Sequence, residues 1–262
     1  MQRAFGRGEC SVKHRGGETA LERLWQEGCA KLRLPKHDHG FEAVMINSSG
    51  GLTGGDALHW SFAAADKTQM TVTTQACEKV YASSGGKASV STSLTVGQGA
   101  RLNWLPQETI LFNHSALSRR LDADLALNAE LLVCEPVLLG REAMAETVEN
   151  GLFVDRWRIH VDGALVHAEQ FRLGPEVSMD SMRTAVLNGN LAFATVLLIA
   201  SDAGTLLDPA RLTIGDQGGA SFWNGKLLAR LVAKNGYELR KRLIPLLSLL
   251  NKQAVLPKCW SL

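Results

Sequence analysis

Leu121-Asp122-Ala123-Asp124-Leu125-Ala126-Leu127-Asn128-Ala129-Glu130-Leu131 puts an apolar residue at every odd position. A period of two marks extended chain with one buried face, whereas a helix would scatter the same side chains around its surface. The pattern recurs upstream in Met70, Val72, Thr74 and Ala76, and in Val90, Thr92, Leu94 and Val96 after the Ser83-Ser84-Gly85-Gly86 break. Downstream, Phe153, Trp157, Ile159 and Val161 repeat it, with Asp155 on the same parity. The predicted fold is therefore mainly β: a single β-rich domain of several sheets over 1–262. It comprises N-terminal strands and loop over about 1–39, a β body over 40–180, and an α+β part with a docking tail over 181–262.

The last third reads differently. Val196 to Ala200 is predicted as a buried strand, and Leu206 to Leu212 as a short helix entered at Asp208-Pro209. Ala220–Trp223 and Lys226–Ala233 form a predicted hairpin around Asn224-Gly225. A final helix follows Asn235-Gly236, with Leu239, Leu243, Leu246, Leu247 and Leu250 on one face and Pro245 expected to bend or split it. About two helices are thus expected. The apolar ending Leu256-Pro257-Lys258-Cys259-Trp260 must dock on the body or on a partner.

Composition narrows the function classes. The 262 residues carry a formal net charge of +2, with 45% apolar and 21% charged residues, which suits an ordinary globular protein and gives a nucleic-acid ligand no basic footprint. Five scattered cysteines without a C-x-x-C pair point to a reducing compartment. The longest apolar run, Leu191 to Ala200, is too short to span a bilayer, so a soluble cytoplasmic protein is expected. No sequence repeat is visible.

The chemistry-bearing segments are few. Asn47-Ser48-Ser49-Gly50-Gly51-Leu52-Thr53-Gly54-Gly55-Asp56 is built for its backbone: four glycines imply tight turning, close approach of another chain, or both. As a phosphate cradle it lacks the lysine that such loops carry, and Asp56 would repel an anion. Glu135 stands among Leu131, Leu132, Val133, Cys134, Val137 and Leu138, and Glu169 shares strand parity with Leu165, Phe171 and Leu173, so both are aimed at a buried face. A carboxylate there is either neutral or paired with a cation, for which Arg141, Arg156 and Arg158 are available. His37-Asp38-His39 is the one dense cluster of transition-metal ligand types, with both imidazoles on one face if the segment is extended. Nucleophile motifs such as G-x-S-x-G and H-E-x-x-H are absent.

Five blocks in order resemble the urease accessory protein UreD family, called UreH in some organisms. They are the glycine segment ending at Asp56; Thr73-Thr74-Gln75-Ala76-Cys77-Glu78-Lys79-Val80-Tyr81; Leu105-Pro106-Gln107-Glu108-Thr109-Ile110-Leu111-Phe112; Leu138-Leu139-Gly140-Arg141-Glu142-Ala143-Met144-Ala145-Glu146; and Leu256-Pro257 with Trp260. The resemblance implies a helix-like winding of stacked sheets plus two helices, in a non-catalytic chaperone of nickel insertion. It further implies that the chain binds apo-urease (UreABC) with UreF and the GTPase UreG, which hydrolyses the GTP. Assembly as a homodimer of heterocomplexes through UreF, with no nucleic acid and no membrane, completes the expected partners.

In such a protein no cofactor is tightly bound, and Ni2+ passes transiently along a water-filled tunnel. Matched residue by residue, Asp56, Glu135 and Glu169 are the expected tunnel carboxylates, and Gly50, Gly51, Gly54, Gly55, Gln107 and Arg141 the motif positions. Two readings from other classes stand beside it. One is a β-rich hydrolase or lyase using Asp56, Glu135 and Glu169 as acid and base groups; the other is a simple nickel carrier using His37 and His39.

Overall fold

The structure, a computed structural model, describes residues 3–36, 40–141, 144 and 146–261. It opens with a hairpin of β1 (Phe5–Arg15) and β2 (Glu18–Gly28), then β3 (Ala30–Arg33) and β4 (Phe41–Asn47). From there the chain coils through β5 (Ala57–Ala64), β6 (Gln69–Thr74), the short β7 (Glu78–Val80), β8 (Ala88–Val96) and β9 (Arg101–Leu105). The short β10 (Thr109–Leu111), β11 (Ala116–Leu125), β12 (Glu130–Leu139) and β13 (Leu152–Val161) continue it, and β13 turns back into β14 (Ala164–Leu173). The C-terminal part holds α1 (Val177–Met182), β15 (Ala192–Ile199), α2 (Leu207–Ile214), β16 (Gly218–Trp223), β17 (Lys226–Ala233) and α3 (Gly236–Leu250).

Two sheets result, ordered β14-β13-β11-β8-β5-β1-β2 and β16-β17-β15-β12-β9-β6-β4-β3, with β10 joining β12 to β7. The longer strands from β4 to β13 alternate between the sheets, and β5, β8, β11 and β13 run parallel in one while β4, β6, β9 and β12 run parallel in the other. This is the helix-like winding expected from the resemblance. Each coil sets a residue beside its equivalent in the next: Leu58 beside Val90, Val90 beside Arg119, Arg119 beside Asp155. Those four side chains share position but not chemistry, which is why a structural repeat left no repeat in the sequence.

The alternation from Leu121 to Leu131 turns out to span two strands. Asn128, at φ 60°, and the Ala129 N–H to Ala126 O bond of 3.2 Å make a turn between β11 and β12, and Leu127 is exposed. Asn tolerates that left-handed backbone, and parity survives the turn by accident of its length.

The second sheet is buried on both faces. Leu131, Val133 and Val137 face the first sheet, while Leu132 and Cys134 face a layer formed by α2, α3 and Trp260. Helix α3 starts at Asn235, whose side chain accepts the Glu238 N–H at 2.9 Å. Of the expected bend or split, no split occurs at Pro245: five buried leucines hold both halves to the sheet, and Pro245 is exposed, so the carbonyl it frees can meet water. The tail docks on the body, where Trp260 donates from Nε1 to the Leu105 carbonyl at 3.0 Å and lies under the Arg240 guanidinium. Among the described residues no helix is long and apolar enough to cross a membrane.

Candidate functional site

Between the two sheets lies a cavity of about 50 Å3 whose walls include Glu78, Trp104, Gln107, Thr109, Arg119 and Glu135. That exceeds the roughly 10–15 Å3 one water needs. Glu135 enters it because β12 alternates: Val133, Glu135 and Val137 face the first sheet. Opposite, Arg119 takes an inward position of β11 between Leu117 and Leu121.

Its guanidinium donates from Nη1 to Glu135 Oε2 at 2.5 Å and to Thr109 Oγ1 at 3.2 Å, and from Nε and Nη2 to both Asp155 oxygens at 3.1 and 2.6 Å. Trp104 Nε1 donates to Glu135 Oε1 at 2.7 Å. Arg119, Glu135 and Asp155 are all buried. Burial pushes the Glu135 carboxyl up, with the Arg119 charge pulling against it. Burial also works against the Arg119 charge, but Asp155 and Glu135 outweigh it and keep the guanidinium protonated.

This arginine answers the question of the cation, and it is none of the three expected. Arg141 pairs with Glu146 at 2.8 Å over the Phe112 ring, and Arg158 donates to the carbonyls of Trp157 and Glu169. The signal that would have found Arg119 is its parity with Leu117 and Leu121, an arginine where the strand demands an apolar residue.

Two further groups face the cavity. Glu78, half-buried on β7, accepts from Asn47 Nδ2 through both carboxylate oxygens at 3.1 and 3.2 Å. Burial pushes it up to about 7, with the Asn47 bond opposing. Gln107 accepts from Arg240 through Oε1, while its buried Nε2 has no hydrogen-bond partner. Arg240 also holds Glu108, at 2.6 and 2.9 Å.

Asp56 and Glu169 lie outside the walls of this cavity. Asp56 is buried and accepts the backbone N–H groups of Ala4 and Thr53, each at 2.8 Å, so its carboxylate closes the Thr53-Gly54-Gly55-Asp56 turn. The glycines do permit close approach. A Cβ on Gly54 would stand 2.0 Å from Ser83 Oγ and 2.3 Å from the Gly85 carbonyl, and one on Gly51 would stand 2.4 Å from the Tyr81 ring. Gly50 and Gly55 take φ of 80° and 91°.

Glu169 is half-buried and ion-paired with Arg230 of β17. Its expected companion Leu165 is 53% exposed, because a bulge opposite Ile159 and His160 flips the parity of β14 before His167. His37 and His39 lie outside the described residues. Among those described, no group of three or more His, Cys, Asp or Glu is arranged to hold a metal.

The pairing register places these groups in a line. Glu135 lies beside Thr195, and Thr195 beside Arg230, on the face of the second sheet that looks inward. Two strand spacings carry Glu135 about 10 Å sideways to the residue that pairs with Glu169. Exposure rises along the row, from buried Glu135 through half-buried Thr195 to exposed Arg230. Of Asp56, Glu135 and Glu169 only Glu135 lines the cavity, so the three do not converge there.

Comparison with known proteins gives a family model, UreD urease accessory protein, matching residues 5–261. Similar curated proteins include the urease accessory protein UreD of Rhizobium leguminosarum bv. viciae, 54% identical over 263 residues, covering all of this chain and 96% of the relative. Urease accessory protein UreD 1 of Brucella melitensis biotype 1 is 50% identical over 267 residues, covering all of this chain and 95% of the relative.

Proposed function

The chain belongs to the UreD family of urease accessory proteins, and from that premise we propose that it is a non-catalytic scaffold that passes Ni2+ to apo-urease. A role in urease maturation follows from the family. The finer reading is that the protein works in the cytoplasm, binds apo-urease together with UreF and UreG, leaves GTP hydrolysis to UreG, and carries nickel as cargo past Asp56, Glu135 and Glu169.

The observation that supports this reading is the inward row from Glu135 through Thr195 to Arg230 and Glu169. An acid–base enzyme needs its carboxylates within hydrogen-bond reach of one substrate, whereas a conduit needs them spaced. Glu135 stands about 10 Å along the sheet from Arg230, the partner of Glu169, and neither Glu169 nor Asp56 lines its cavity, which favours the conduit. Isolated oxygen ligands hold nickel less tightly than histidine or cysteine sites, so an ion can step on and off. Arg119 and Arg230 sharpen that weakness: each occupies its carboxylate until a divalent cation competes for it, which keeps dwell times short.

The test is co-purification of this chain with UreF-like and UreG-like proteins and apo-urease, then activation with nickel, bicarbonate and GTP. Asp56→Asn, Glu135→Gln and Glu169→Gln combined keep the size and an acceptor at each position, so they should leave the assembly intact and abolish activation at limiting nickel; unchanged activation would refute the route. Tight binding of Ni2+ to the isolated chain, lost in His37→Ala/His39→Ala, would instead favour the carrier reading.

A further inference from the structure

The inter-sheet cavity has a second carboxylate that no sequence motif pointed to. Glu78 and Thr109 are register partners, Thr109 pairs with Val137, and Val137 lies two residues beyond Glu135 on the same inward face. From strand spacing and rise, the α-carbons of Glu78 and Glu135 are about 12 Å apart, with both side chains reaching into the space between. Thr109 stands midway, its hydroxyl on Arg119.

Glu78 differs from Glu135 in three ways that matter. It is half-buried where Glu135 is fully buried, so it touches both the cavity and the outside. Among the described residues no lysine or arginine forms an ion pair with it, and the side chain that holds its carboxylate is Asn47, a neutral donor. It is also held from a constructed site: Asn47 begins the glycine-rich segment, its Oδ1 accepts from Ser49 N at 3.1 Å, and Ser49 Oγ donates to the Gly51 carbonyl at 2.9 Å. The segment that seemed made to present Asp56 therefore also aims the amide that orients Glu78.

A second, independent observation points to solvent or a ligand in the cavity. Gln107 is 5% exposed and lines the cavity, its Oε1 is taken by Arg240, and its Nε2 is left without a partner. A buried donor of that kind costs about 1–3 kcal/mol unless something in the cavity accepts its hydrogen. Water does so, and at roughly 10–15 Å3 each about four waters fit, enough to complete the oxygen shell of a partly dehydrated cation held by a carboxylate.

We propose that Glu78 is the entry station of the buried route, a cation-binding carboxylate that receives the hydrated metal at the cavity mouth and hands it to Glu135. The assignment rests on the reading of this chain as a nickel conduit and adds to it a residue and a direction. An ion arriving at Glu78 displaces at most a proton from the carboxyl and no guanidinium. The next step, onto Glu135, does displace Arg119.

The test compares Glu78→Gln, Glu78→Asp and Glu135→Gln in the full complex with apo-urease and the UreF-like and UreG-like partners, at limiting nickel. Glu78→Gln keeps the acceptor for Asn47, so co-purification should be unchanged while activation slows about tenfold, equivalent to roughly 1.4 kcal/mol, with Glu78→Asp recovering most of the rate. Activation by Glu78→Gln at the wild-type rate, with Glu135→Gln slow, overturns this inference and leaves the route standing. Wild-type rates in both variants remove the route itself. Carbodiimide-driven amidation of Glu78 in the wild-type complex, read by peptide mass, gives a readout free of any folding effect: Ni2+ should protect the carboxyl, and equal labelling with and without Ni2+ refutes the station.

Discussion

Replacing Arg119 by methionine would strand two buried carboxylates at once. Arg119 is fully enclosed and supplies the ionic partner of both Glu135 and Asp155, at 2.5 and 2.6 Å, as well as a bond to Thr109. Removing one partner of a buried ion pair costs about 3–5 kcal/mol, because the remaining charge has neither water nor counter-ion. Against a typical domain stability of about 5–15 kcal/mol, Arg119→Met should lower the urea midpoint steeply and bring the chain near unfolding. The loss should also depend on pH.

In the wild type burial raises the Glu135 carboxyl and Arg119 pulls it back; in the variant only burial remains, so the folded-state value climbs further above the unfolded one. A raised carboxyl binds more protons folded than unfolded, which makes its contribution favourable in acid and progressively lost as pH rises. The wild-type carboxyl is itself raised to about 7, so the difference between wild type and variant should open between about pH 7 and pH 9, by roughly 1.4 kcal/mol for each unit that the carboxyl has moved. Urea titration followed by tryptophan fluorescence suits the measurement, since Trp104 is bonded to Glu135. A penalty below about 1 kcal/mol, or one equal at both pH values, would refute the buried triad as the core of the site.

Three other outcomes follow from the same geometry. Asp56→Ala leaves the Ala4 and Thr53 amides without their acceptor and should cost about 2–4 kcal/mol, read as faster hydrogen exchange at those two amides. Glu78→Gln should gain stability over the wild type as pH rises from 4.5 through about 7, by at most about 3 kcal/mol, because the native carboxyl is raised to about 7 and its ionisation opposes folding; parallel urea curves at pH 5 and pH 8 settle it. Gly54→Ala should lose most soluble protein, since the added Cβ meets a backbone carbonyl at 2.3 Å, whereas Gly50→Ala meets no atom within 4 Å and should cost only about 1 kcal/mol for its φ of 80°, measurable as a midpoint shift.

Much of the architecture was legible because strands announce themselves by parity. The alternations at Met70, Val90, Leu121 and Phe153 each became a coil strand, and the hairpin at Asn224-Gly225 formed where the turn chemistry put it. The turn at Asn128 was not legible because parity runs through it unchanged, and the bulge before His167 was not legible because it shifts parity by an amount set by its partner strand. The site was half visible. Glu135 was conspicuous as a charge amid apolar neighbours, but its cation came from a strand sixteen positions upstream in the chain, and contacts between coils have no local signal. Glu78 was hidden for a different reason: it belongs to a three-residue strand, too short for any period.

The coiled topology also ranks the parts of the molecule by rigidity. In a winding of stacked turns each coil is held by the coil before and the coil after, so stability accumulates toward the middle and the ends fray first. The cavity is walled by β5, β8 and β11 on one side, each with a neighbour on both edges. A passage built there cannot breathe without opening several coils together. If the proposed route holds, control over what enters and leaves it falls to the short elements that wall it, the three residues of β7 and the Pro106-Gln107-Glu108 link that Arg240 clasps.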